Sequence, residues 1–512
     1  MRMLDTIRHA GLGAALLAAL GAVAPAAADK TTVVIGGTSN IAAYNPYADS
    51  ASQMYSIWAN VYGCLCRYNF DKADYEPMLA ERWENDPKDR NVWTFHLRQD
   101  IRSHDGAPLT AADVVHSYDR IRNDRQSAQR AQIQPIARIV AVDTHTVQLV
   151  TKEPTAPLLQ YVCDSQVITR KAVFDQYGAR DADRLHPDGF GPYRLAELTI
   201  GERVVLEKVT GNPFAHKDNP DILMWRRMQE PEQRITALLN GEIQIAQYVP
   251  PHMMKRVEGN PNIKVGYTDT VEIMFLAMNP KFKPWDNKKL RQAVAYAIDR
   301  PAIIKSILGG LATPLHGPVG PGQYGYDAER AKAFDVPYDP EKAKALVREA
   351  GYPNGVDVDL FSATGRYVND KQVAEAITAM LTGVGIRTKL HTPEYATYWP
   401  AVQKGRVPFY YQGRGSMIDP SVGVAQYFET GVTPRTGYSN PALDALLRAE
   451  RQEFDPQKRK KLLNDAFAIL IDDMPAHFLW RHRLVDAMVR NVDHQPMPHN
   501  RIYGDMITVH AL

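Results

Sequence analysis

The sequence predicts an α/β protein built on a parallel sheet. Three observations predict it. Between Val356 and Gln412, segments of strand character alternate with segments of helical period. The β-branched run Thr31 to Ile35 stops at Gly36-Gly37, as a buried strand entering a loop does. The length, 512 residues, is about three typical domains' worth, which large α/β proteins often group into two lobes.

In chain order, Arg2 and Arg8 give a positive start, Gly11 to Ala24 is apolar, and Ala26-Ala27-Ala28 is a small-x-small end. This reads as a secretory signal peptide over residues 1–28, cut before Asp29. Its apolar run is 14 residues, short of the roughly 20 that span a bilayer. No cysteine sits at the cleavage point, so a free periplasmic protein without a lipid anchor is expected.

From Glu76 to His186 the pattern is strands with polar turns and one clear helix, Ala111 to Ile121, capped by Thr110 with Asp113 in its first turn. His104-Asp105-Gly106 reads as a turn, and Thr144 to Val150 alternates like a half-buried strand. Gly309 to Gly322, rich in Gly and Pro, reads as a long surface loop. Then comes the βαβαβ run: strand Val356 to Phe361, helix Asp370 to Thr382, strand Ile386 to Leu390, a helix over Tyr395 to Lys404 interrupted by Pro400, and strand Val407 to Tyr411. Asp339-Pro340, Asn440-Pro441 and Asp455-Pro456 each set a capping side chain before a proline at a helix's first position.

Composition excludes several classes. With 45% hydrophobic and 23% charged residues and a net charge of +2, nothing points to disorder or to a nucleic-acid partner. There is no Gly-Lys pair for a phosphate loop and no His-Glu pair for a zinc protease. Asp419-Pro-Ser421-Val-Gly423 approaches a nucleophile elbow but begins with Asp and carries Pro420, so no catalytic residue is assigned. His477, His482, His494, His499 and His510 follow no ligand spacing, so neither a metal nor a cofactor is expected. The three cysteines are either small buried hydrophobes or include one disulfide; Cys64 to Cys66 would close a strained loop, which leaves Cys163 with one of them.

In open parallel sheets ligands sit beyond the carboxyl ends of the strands. The loops there hold Ser362 to Tyr367 and Gln412 to Ser416. Tyrosines outnumber phenylalanines, 25 to 14, and Tyr44, Tyr47, Tyr55, Trp58, Trp285, Tyr367, Tyr395, Tyr398 and Trp399 lie near predicted loops. Rings with a polar handle suit a cleft for a small polar organic ligand, although most of these are expected in the core or its rim.

The stretch Trp93 to Arg98 followed by Ile101 to Tyr118 carries a resemblance. So do Phe190-Gly191-Pro192-Tyr193, Asn279 through Arg300, Tyr338 to Lys344 with Ala350 to Pro353, and Asn440 to Leu447. On these motifs the chain resembles the family 5 extracellular solute-binding proteins, the dipeptide, oligopeptide and nickel binding proteins of ABC importers. The resemblance implies a periplasmic-binding-protein-like fold (type II, cluster C), with two lobes around a ligand cleft. It places residues 29–268 plus 483–512 in the first lobe, with 71–186 as an extra subdomain, and 269–482 in the second.

It also implies a monomer that hands a small organic ligand to permease subunits. A nickel or haem carrier on the same fold is the alternative, and a secreted hydrolase the rival from another class. The implied ligand-binding residues are Asn40, Tyr44, Arg366, Tyr367, Arg414 and Ser416. Arg366, with Tyr367, occupies the loop where dipeptide-binding relatives grip a carboxylate, a task suited to the guanidinium fork. Where those relatives hold the ligand's amine with an Asp in a Trp-x-Gly-Asp stretch, this chain reads Gly413-Arg414-Gly415-Ser416. The expected ligand therefore bears an acid group met by Arg366, Arg414 or both, and a neutral or modified amine end.

Overall fold

The computed structural model describes residues 30–38, 43–48, 52–163, 166–364, 366–415 and 418–511. The signal-peptide reading of residues 1–28, Asn40 and Ser416 lie outside the described residues. No helix among the described residues is long and apolar enough to cross a membrane.

A mixed sheet of twelve strands organises the molecule. From one edge its strands run Ile386–His391, Val356–Ser362, Phe409–Arg414, Ile273–Met278 and Ala476–Val489, then Ile245–Ala246, Thr32–Gly37, Ile222–Arg227, Arg203–Lys208 and Tyr193–Thr199. Ala476–Val489, 14 residues long, belongs to both halves. Its beginning pairs with Ile273–Met278 and its end with Ile263–Asp269, both antiparallel. Each half has a core on both faces. Leu290, Val373 and Ile377 lie in one core of the first-named half and Tyr398, Phe428 and Leu463 in its other; Trp58, Leu206 and Trp225 lie in one core of the second half and Ile235, Ile243 and Val257 in the other. The result is two α/β lobes. A separate antiparallel sheet, Ala80–Asn85, Val92–Leu97, Thr146–Thr151 and Ile136–Ala141, carries the helix Ala111–Asn123 against it.

The βαβαβ run is present. Val356–Ser362 pairs in parallel with Ile386–His391 and with Phe409–Arg414, and the linking helices are Asp370–Gly383 and Tyr395–Gln403. The third strand begins at Phe409 rather than Val407, because Pro408 has no N–H to give a ladder. Thr110 and Asp113 form the expected capping box. Asp339, Asn440 and Asp455 accept the first N–H groups of their helices. Asp419-Pro420 is a fourth case of the same signature: Asp419 caps Pro420–Phe428, and Ser421 is buried with its hydroxyl accepting from Arg459. The stretch that resembled a nucleophile elbow is a capped helix start.

Gly309 to Gly322 is not a surface loop. Ala312–Pro314 pairs with the long strand, and Leu315, Gly317, Pro318, Val319 and Gly320 are buried. A Gly/Pro-rich segment cannot bond its own carbonyls, so burial requires donors from elsewhere. Arg300 donates to the Leu315 carbonyl and Arg481 to that of Pro321, the latter at 2.7 Å. Of the cysteines, Cys66 and Cys163 form a disulfide across 97 positions, and Cys64 is buried beside it.

Candidate ligand cleft

At the carboxyl end of Val356–Ser362 the chain turns toward the helix Asp370–Gly383 through Arg366 and Tyr367. One buried carboxylate shapes that turn: Asp370 Oδ2 accepts the backbone N–H of Arg366 at 2.8 Å and of Tyr367 at 3.0 Å. Tyr367 then packs inward, its hydroxyl donating to the Gly413 carbonyl at 3.3 Å and accepting from Gln412 Nε2 at 2.8 Å. Its polar end is thus already engaged, and what it does for the site is carry Arg366. The Arg366 guanidinium lies 5.0 Å from the Tyr367 ring and 5.4 Å from that of Tyr395, while the residue as a whole is exposed.

Arg366 has no ion pair among the described residues. Burial of its head pulls its pKa down, and the charge of Glu272 lifts it above the ordinary value. Glu272 shows the reverse. Burial raises its pKa, and only Arg366 opposes that.

Arg414 ends the neighbouring strand Phe409–Arg414. It lies 6.0 Å from the Tyr427 ring, and its Nε is buried without a partner. Burial holds its pKa below the ordinary value; Tyr427 works against that and the charge of Arg435 adds to it. Arg435 sits 5.1 Å from the rings of both Tyr427 and Trp399. Trp399 stacks on Tyr395, planes 8° apart, which leads back to Arg366. The carboxyl edge of this lobe is therefore a ladder of arginines and rings with no carboxylate salt-bridged to Arg366, Arg414 or Arg435 among the described residues. Such an edge is chemically suited to an organic anion, with guanidinium forks to meet the acid and rings to flank its apolar parts.

The other sequence-picked residues lie elsewhere. Tyr44 is half-buried in the opposite lobe, its hydroxyl donating to the Leu198 carbonyl at 2.9 Å, and no described contact joins it to Arg366 or Arg414. Tyr47, Tyr55, Trp58, Trp285 and Tyr398 are core residues. His494 and His510 pair with Asp486 and Asp493, and His477 is buried. Among the described residues no group of three or more His, Cys, Asp or Glu converges as a metal site would require.

Beside the arginine edge the lobes touch. Tyr68 and Phe70 from one pack with Val271 and Ile418, and the Ala156 N–H donates to the Arg451 carbonyl at 2.7 Å. Arg366 thus stands on the lobe that meets the other across this seam, and hinge bending at such a seam can enclose a small solute.

The family model of the bacterial extracellular solute-binding proteins, family 5, matches residues 74–434. The chain belongs to that family. As a solute-binding protein it is similar to the glutathione-binding protein GsiB of Pectobacterium atrosepticum, 29% identical over 496 residues, with 94% of each chain covered. It is 27% identical to the dipeptide-binding protein of Escherichia coli K12, covering 88% of this chain and 89% of that one. Among solved structures, AgaA of A. tumefaciens R10 in complex with agropinic acid superposes with a TM-score of 0.76, at 26% identity, over 94% of this chain and 99% of the other. The two-lobe fold is the one these binding proteins share, and the family is one of binding proteins rather than enzymes.

Sequence reasoning missed Glu272, Asp370, Tyr427 and Arg435, and it named Gln412 only as part of a candidate loop. Asp370 opens a helix that was read correctly, whereas Gln412 was read as loop beyond a strand ending at Tyr411 and lies within the strand Phe409–Arg414. Glu272 had one local signal, an acidic side chain set directly before the wholly buried strand Ile273–Met278.

Proposed function

We propose that this solute-binding protein captures a peptide-like or opine-like small molecule bearing a carboxylate, encloses it between its lobes, and delivers it to the permease subunits of an ABC importer. The observation that carries the reading is Arg366: a guanidinium held out by a structured loop at the carboxyl end of a parallel sheet, with no acidic side chain salt-bridged to it among the described residues. Binding-protein relatives named for glutathione, dipeptides and agropinic acid support the ligand class. Arg414, with its orphan Nε, supplies a second place for an acid group.

The lobes divide near 268/269 and 482/483, a reading supported by the change of partner along Ala476–Val489. Residues 71–186 form the subdomain. The protein acts as a monomer, freed into the periplasm by removal of residues 1–28, without a lipid anchor and without catalysis. Shifting an open-to-closed equilibrium from 1:99 to 99:1 takes about 5.5 kcal/mol of differential binding, so ligand contacts on both lobes must be made on closure.

Isothermal titration with glutathione, alanyl-alanine and agropinic acid tests this, paired with alanyl-alanine amide. Saturable binding of at least one acid and a loss of tenfold or more on amidation are expected. Absence of binding across the series, or indifference to the amide, overturns the reading.

A further inference from the structure

We propose that Glu272 is the specificity residue for a free ammonium group, so that the ligand is a zwitterion held between Glu272 and Arg366. The inference rests on the peptide-like reading above and reverses one expectation from sequence, that loss of an aspartate at position 416 leaves the amine end without an anionic partner.

Strand register places the charge. Ile273–Met278 runs antiparallel to Phe409–Arg414, with Ile273 opposite Arg414 and Met274 opposite Gly413. Continuing that register by one residue sets Glu272 across from Gly415, on the face that Gly413 and Tyr367 share. The glycines make this possible. A Cβ on Gly413 would lie 3.0 Å from Glu272 Oε1, 2.8 Å from Met274 Sδ and 2.5 Å from Tyr367 Cε1; one on Gly415 would lie 4.0 Å from the same carboxylate oxygen. Position 413 therefore admits no side chain while Glu272, Met274 and Tyr367 keep their places. Glycine at 413 and at 415 leaves the ground that the Glu272 carboxylate occupies.

The electrostatics ask for a cation. Among the described residues Glu272 makes no ion pair, and Arg366, the one charge that acts on it, remains beyond salt-bridge reach. An anion desolvated without a partner is costly, and so is the unpaired guanidinium facing it. A zwitterionic ligand, with its ammonium at Glu272 and its carboxylate at Arg366, satisfies the two groups at once. A ligand with an acylated amine satisfies Arg366 alone and buries Glu272 against an amide.

The test is a two-by-two titration: wild type and Glu272→Gln, each with alanyl-alanine and with N-acetyl-alanyl-alanine. Wild type is expected to favour the free amine by tenfold or more, as the loss of a charge-assisted bond implies. In E272Q that preference falls to threefold or less, while the loss on amidating the carboxyl end persists. Glu272→Asp restores part of the preference, which separates the charge from a general disturbance of the fold, and thermal unfolding of each variant reports on folding directly. Equal binding of the two peptides by wild type, or an undiminished preference in E272Q, overturns the role of Glu272 and leaves the carboxylate reading standing. Failure of wild type to bind either peptide overturns the role of Glu272, and the acid series above then decides the carboxylate reading.

Discussion

Two clusters of charge in the second lobe are treated in opposite ways. Around Arg459 each charge has an ion-pair partner, although Glu450 keeps one buried oxygen without a hydrogen bond: Nη1 reaches Asp419 at 2.8 Å, Nε reaches Glu450 at 3.0 Å, and Nη2 reaches the Ser421 hydroxyl at 2.6 Å. All four residues are buried, and Asp419 also caps a helix. At the carboxyl end of the sheet, Arg366, Glu272 and Arg414 are partly buried and none forms an ion pair with another. The first arrangement holds elements together. The second is stable only because solvent reaches part of it, and it gains most when something brings complementary charge. Saturated charge holds structure here, and unsaturated charge is what the proposed function assigns to the ligand.

The largest effect that could break this contrast is on stability. Arg459→Ala leaves Asp419 and Glu450 buried and uncompensated, and about 3–5 kcal/mol of stability should be lost in denaturant titration. Arg366→Gln should cost less than about 1 kcal/mol, as for surface positions. Equal destabilisation by the two would erase the distinction.

A second effect sharpens it by pH. His482 is buried at the point where the long strand passes between lobes, and burial alone pushes its pKa down to about 4. Its folded pKa lies below its unfolded value near 6.5, so the unfolded chain binds the extra proton between the two values. Stability should therefore be full above pH 6.5 and fall as pH drops to 4, by about 3 kcal/mol from this group. A His482→Asn chain whose melting temperature falls just as steeply over that window would remove His482 as the cause.

The smallest effect in energy is the most informative about function. Arg366→Gln should weaken a carboxylate ligand by tenfold or more, about 1.4 kcal/mol or above, with the melting temperature of the empty protein nearly unchanged. An intact affinity would move the acid-binding role to Arg414, and Arg414→Gln would then be the variant to titrate.

Local regularity made much of this protein legible in its sequence. The parallel βαβαβ run was readable because helix and strand periods differ and Gly383 and Gly385 stop the first helix. The caps at Asp339, Asn440 and Asp455 were readable because a short acceptor before a proline has one favourable use. The resemblance motifs fixed the family and pointed to the loop of Arg366, which the structure then presents as a structured turn.

Other features were not legible, for one physical reason: they depend on which distant segments become neighbours. The sequence could not tell Cys64 from Cys66 as the partner of Cys163, since the two stand two positions apart and only the fold decides which sulfur meets a residue 97 positions away. Buried packing of Gly309 to Gly322 required Arg300 and Arg481 to arrive as donors, so its glycines and prolines read locally as an exposed loop.

By itself, then, the sequence determined the fold class, the helix starts and the family, and it singled out the loop of Arg366, because each is written in neighbouring residues. Tertiary structure alone decided that Glu272 stands beside Gly413 and Gly415, facing Arg366. That placement comes from antiparallel pairing of strands more than a hundred positions apart, and pairing of that range leaves no trace in local sequence.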